Sequence, residues 1–153
     1  MTLLKMEASR NNSTLRSRLE SFCRSHGIEA LYVFGSRAAE IRGSMEADRL
    51  GTEPSSDVDI AVRFSGGRRL SIREKAELAV ALENLLGADR VDLVLLAEAD
   101  PFLAVNVIRG ERLFCRDAYA ADEYELYVLR RAGDLAGFER LRIERILDPP
   151  QRQ

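Results

Sequence analysis

A single histidine and two cysteines are the whole supply of imidazole and thiol in this 153-residue chain. One imidazole leaves no histidine-based zinc site to build, and a Ser/His/Asp triad is not the natural reading either. His26 is instead expected to flank the end of the first helix. Cys23 and Cys115 are far apart and show no Cys-x-x-Cys spacing. They are read as reduced thiols, Cys23 and Cys115 alike packed inside a cytosolic protein. No stretch approaches the ~18 consecutive apolar residues that a membrane-spanning helix needs. Met1 to Asn12 carries charges and no apolar core, so it is not read as a signal peptide, and the expected location is the cytoplasm. Charge of one sign is lacking too. The formal net charge is -2, which gives no overall basic footprint for nucleic acid.

What is present fits one domain. Hydrophobic residues make up 46% of the chain and charged ones 31%, ordinary for a soluble protein. A domain of ~150 residues buries about 70% of its unfolded surface, enough for a core without staples. There is no internal repeat and no low-complexity tract. Residues 1–11 read as a flexible tail. Asn12 or Ser13 offers a helix cap, Leu15, Leu19 and Phe22 recur at helical spacing, and Gly27 stops that helix. Residues 29–34 read as a buried strand. Residues 38–55, with Gly43, Gly51 and Pro54, read mostly as a long loop with at most a helical turn near Arg37–Ile41. Loops of that length are usually functional, and this one is expected to close over a bound ligand. A strand over 57–64, a helix from Ser71 to about Leu86 stopped by Gly87, and a strand over 90–96 follow. Pro101 opens a helix to about Arg109, ended by Gly110. A short strand over 111–115 leads to a helical region from Asp117 to about Leu147, with a break expected near Gly133–Gly137. The fold class is α/β (α+β): a small mixed sheet with helices packed mainly on one face.

Chemistry concentrates in three places. Asp57 and Asp59 alternate on a strand, so both point to one side with Cα atoms roughly 6–7 Å apart. Carboxylates that close repel unless a cation sits between them. Magnesium suits them, because it takes one or two carboxylates together with phosphate oxygens. Asp92, in Val91-Asp92-Leu93-Val94, supplies a third acid for a two-ion site. Upstream, Phe34-Gly35-Ser36-Arg37 ends an apolar strand. Gly35 allows close backbone approach to phosphate, the Ser36 hydroxyl can add a hydrogen bond, and Arg37 can add charge. Arg37 could equally pair with an acid in the following stretch. Taken singly each piece is common; in this order and context they are not.

The pattern of apolar strand, Gly-Ser, loop, Asp-x-Asp and third Asp resembles the DNA polymerase beta-like nucleotidyltransferase superfamily. It is most similar to its minimal members, the MNT domains, and to the MntA-type adenylyltransferase antitoxins of HEPN/MNT toxin–antitoxin systems. The likeness extends through Ile108-Arg109-Gly110-Glu111-Arg112-Leu113-Phe114. It implies a nucleotidyltransferase domain over residues 12–116 with a helical extension over 117–153. It further implies that Gly35, Ser36 and Arg37 hold the triphosphate of ATP and that Asp57, Asp59 and Asp92 bind two magnesium ions and carry catalysis. The stretch between Gly-Ser and Asp-x-Asp is longer than usual for the family.

The resemblance implies a partner, a helical HEPN-type RNase toxin whose tyrosine receives AMP, because the chain has no evident acceptor domain. Homo- or hetero-oligomers fit this reading; direct nucleic-acid or membrane contact does not. Two alternatives stand beside it: an antitoxin of the same fold that acts by contact alone, and a small-molecule nucleotidyltransferase. Tyr119, Tyr124, Leu126, Tyr127, Leu129 and Phe138 are expected mostly to pack on the parent domain, with some left for a partner.

Overall fold

The computed structural model describes residues 14–48 and 57–147. The expected tail, the caps offered by Asn12 and Ser13, and the segment carrying Gly51 and Pro54 lie outside the described residues. Helix α1 (Leu15–Ser25) is capped by Thr14, whose Oγ1 accepts from the Ser17 amide. His26 closes it, its Nδ1 lying 2.8 Å from the Phe22 carbonyl. Strand β1 (Ile28–Phe34) follows, then α2 (Ala38–Glu46), β2 (Asp57–Phe64), α3 (Ile72–Leu86), β3 (Arg90–Leu95), α4 (Pro101–Ile108), β4 (Glu111–Cys115) and α5 (Ala118–Leu147).

Among the described residues four strands form one mixed sheet in the order β3-β2-β1-β4. β1 runs antiparallel to both β2 and β4, whereas β2 and β3 are parallel. A parallel pair needs a crossover, and α3 supplies it. The cap of α3 is reciprocal: Ser71 Oγ accepts from the Glu74 amide and Glu74 Oε2 accepts from the Ser71 amide. Gly87 closes the helix in the left-handed region at φ 65°. Ser71→Ala removes the Oγ bond to the Glu74 amide and is expected to lower unfolding free energy by about 1 kcal/mol. Urea denaturation checks this; an unchanged midpoint would mean that the end of α3 does not hold the crossover.

Both faces of the sheet are covered. Leu31, Val33, Val58, Ile60, Val62, Val91 and Leu95 point to one side and pack with α1, α2 and α3. Ala30, Tyr32, Phe34 and Ala61 point to the other and pack with Ala104 and Val107 of α4 and Val128 of α5. The larger cluster matches the expected helical face; the second adds α4 and α5 on the opposite side. A network ties α5 to the sheet there. The buried Tyr32 hydroxyl donates to Glu125 Oε1 (2.8 Å), and Arg112 Nη1 donates to Glu125 Oε1 (3.0 Å) and Asp122 Oδ1 (2.8 Å).

Three expectations are corrected. The stretch read as a loop over 38–55 begins with a nine-residue helix, α2, which buries Ala38, Ile41 and Met45. Those positions fall on one helical face, and that burial outweighs the propensity cost of Gly43. The break expected at Gly133–Gly137 is absent, and α5 runs unbroken for 30 residues. A Cβ at either glycine would meet nothing within 4 Å, so neither marks a bend or a close contact. Of the apolar residues singled out on α5, Tyr124 is half-buried against the second cluster. Tyr119, Leu126, Tyr127, Leu129 and Phe138 are exposed, so the expectation that most of this set packs on the parent domain is corrected as well. Cys23 is buried and Cys115 half-buried, both free thiols; burial pushes the Cys23 thiol up to about 12. No described helix is long and apolar enough to cross a membrane.

Candidate active site

Strand register assembles the acids. The parallel pairing of β2 with β3 sets Asp57 opposite Arg90 and Asp59 opposite Asp92. The antiparallel pairing with β1 sets Asp59 opposite Phe34. Alternate residues of a strand share a face, so Asp57, Asp59, Arg90 and Asp92 form a two-by-two array on one side of the sheet. Neighbouring strands lie ~4.8 Å apart, which makes Asp59 and Asp92 direct neighbours. The opposite face at this end holds Val58, Ile60 and Val91, all buried, and this fixes the register: a slip by one residue would turn the acids into the core.

Gly35 brings the turn after β1 onto the acids. Its φ is +80°, where side chains are strained, and a Cβ there would lie 2.5 Å from Asp59 Oδ2. The turn backbone therefore rests directly beside the Asp59 carboxylate. Ser36 is exposed, and α2 begins two residues later with no side-chain cap on its first amides. Uncapped amides at a helix start favour an anion. Arg37 bonds Glu40 through two contacts, Nε to Oε2 at 3.0 Å and Nη2 to Oε1 at 2.7 Å, and holds that carboxylate below its usual range. This is the pairing with a nearby acid that the sequence offered as its alternative role.

Electrostatics mark Asp59 as the strained member. Burial raises its carboxyl above the ordinary value, and the charges of Asp92 and then Asp57 raise it further. Among the described residues no three His, Cys, Asp or Glu side chains already converge into a metal cage. Magnesium does not require one, since it keeps waters and substrate phosphates in its shell. Hard carboxylate oxygens that disfavour one another's charge, beside a turn that admits phosphate, fit that ion. Asp57, Asp59 and Asp92 could hold it.

Two residues of this site were passed over in the sequence. Gly110 reads there only as a helix stop. In the structure a Cβ on it would lie 2.3 Å from the Val33 carbonyl oxygen and 2.9 Å from Phe34 Cα, so its lack of a side chain lets the turn after α4 press against the end of β1, just before Gly35. Arg90 was visible by the same two-residue period that pairs Asp57 with Asp59, being two residues before Asp92.

The family model for polymerase beta nucleotidyltransferases matches residues 17–119, and the chain belongs to that family. Its fold is shared with three solved structures in particular. One is a toxin–antitoxin crystallised with AMP-PNP: TM-score 0.64, 22% identity, 87% of this chain and 98% of that one covered. Another is a tri-AMPylated HEPN toxin of Shewanella oneidensis in complex with its MNT antitoxin: TM-score 0.62, 20% identity, coverage 88% and 97%. The third is an MntA–HepT toxin–antitoxin: TM-score 0.61, 20% identity, coverage 88% and 97%. Comparison with curated proteins gives no match.

Proposed function

We propose that this chain is a magnesium-dependent adenylyltransferase that acts as an antitoxin in the cytoplasm, moving AMP from ATP to a tyrosine of a HEPN-type RNase toxin. The observation that carries the reading is the contact of Gly35 with Asp59 inside a three-acid array. It joins a turn built for phosphate to acids built for a divalent ion. Family membership supports nucleotidyl transfer. The likeness to complexes of MNT antitoxins with HEPN toxins, one of them AMPylated and another holding AMP-PNP, supports the acceptor and the nucleotide.

In this reading the Gly35 and Ser36 turn, at the head of α2, seats the triphosphate. Asp57, Asp59 and Asp92 hold the ions. When bound, magnesium supplies positive charge against the departing pyrophosphate and the attacking oxygen. The acceptor phenol oxygen attacks the α-phosphorus, the bond to the β-phosphate oxygen breaks, and pyrophosphate leaves. A free phenol has a pKa near ~10 and is inert at neutral pH, so its proton needs an acceptor. Asp92, on an edge strand and partly exposed, takes it. The chain's own Tyr32 is no substitute, because burial and its bond to Glu125 hold its phenol protonated.

Incubation with ATP, magnesium and the cognate toxin is expected to shift the toxin by the mass of AMP in intact-protein mass spectrometry. EDTA or Asp57→Asn should remove the shift. If the parent neutralises the toxin without a mass change and Asp57→Asn neutralises it equally well, the antitoxin acts by contact alone.

A further inference from the structure

We propose that Arg90 is a built-in counter-cation of the acid array, which holds Asp92 until a divalent ion takes its place. The inference rests on the metal site proposed above. It starts from the register, in which Arg90 is the fourth corner of the square formed with Asp57, Asp59 and Asp92. Its Nη2 lies 3.2 Å from Asp92 Oδ1. Carboxylates set side by side in this register disfavour one another's charge. The Arg90 guanidinium therefore sets a positive charge at the open corner of the array.

The pair is also easy to part. The Arg90 side chain is 67% exposed and that of Asp92 44%, and water screens ion pairs of that exposure to small values. A divalent ion on Asp92 competes with the guanidinium for the charge of one carboxylate, so the two bindings oppose each other. Arg90 thus sets the affinity of the site for the ion and keeps the empty site from repelling itself apart. A phosphate-gripping role for Arg90 predicts something different: no effect on the ion in the absence of nucleotide.

Titration of the nucleotide-free full-length chain with Mn2+, followed by electron paramagnetic resonance of the free ion, separates these cases. Arg90→Gln is expected to tighten Mn2+ binding about two- to fivefold, the ratio an exposed ion pair contributes. Arg90→Lys keeps the charge and should stay close to the parent. In an Asp92→Asn background the Arg90→Gln gain should vanish, because the effect passes through that carboxylate. Far-UV circular dichroism verifies that each variant is folded. Unchanged or weaker Mn2+ binding by Arg90→Gln overturns the inference while leaving the metal site standing. A gain that persists with Asp92→Asn overturns it as well, since that would be a general field effect. A parent chain that binds no Mn2+ removes the metal site and this inference together.

Discussion

Asp59→Asn is expected to abolish AMP transfer yet leave the metal-free protein at least as stable as the parent. Loss of transfer should reach about a hundred- to a thousandfold, the scale on which single electrostatic partners of a transition state count. The stability half follows from the raised carboxyl of Asp59. Between its ordinary and its raised value, the folded chain binds more protons than the unfolded chain. Its stability therefore falls as pH climbs through that window. Asparagine carries no such dependence and removes one of three mutually repelling charges. Thermal melts in EDTA across the acid-to-neutral range test this together with a transfer assay. If metal-free Asp59→Asn melts well below the parent at neutral pH, the side chain is structural and the reading of the site fails.

Gly35→Ala should damage stability and activity at once. The left-handed φ costs an alanine about 1–2 kcal/mol, and a Cβ at 2.5 Å from Asp59 Oδ2 forces that half-buried carboxylate to swing aside, an off-rotamer cost of about 0.5–1.5 kcal/mol. The two parts can be separated. Asp59→Ala deletes the atom that clashes, so Gly35→Ala introduced into that background should cost only the conformational part. Chemical denaturation of the four proteins of this cycle measures the coupling. Equal costs in both backgrounds would show that Gly35 and Asp59 do not touch, and the link between phosphate turn and acid would be lost.

Much of this was legible in the chain because the signals are short-ranged. Ser71 and Gly87 bracket α3, Pro101 opens α4, and Glu111–Cys115 is a strand as expected. The period of two that pairs Asp57 with Asp59 also holds in the structure. What the sequence could not give is register across strands. That Asp59 faces Asp92 rather than Arg90 follows from how α3 returns the chain beside β2, a tertiary fact. Helix α2 was missed for a different reason. It starts without a side-chain cap and contains Gly43, so its only signal was the spacing of Ala38, Ile41 and Met45. The second covered face was written in β1, where six of seven residues are buried. Alternation alone would have left one side to water; a nearly continuous apolar strand requires helices on both.

The position of β3 has a bearing on how the protein behaves in company. Among the described residues β3 is an outer strand of the sheet, and an outer strand is a template for any other strand it meets. Arg90 and Asp92 place two charges within its six residues, one of the devices by which sheets refuse such partners. The residues assigned here to ion chemistry thus also guard the border of the sheet against growth. A chain in which both are neutralised would keep Val91, Leu93, Val94 and Leu95 on an uncharged rim, and it should self-associate at concentrations where the parent remains dispersed.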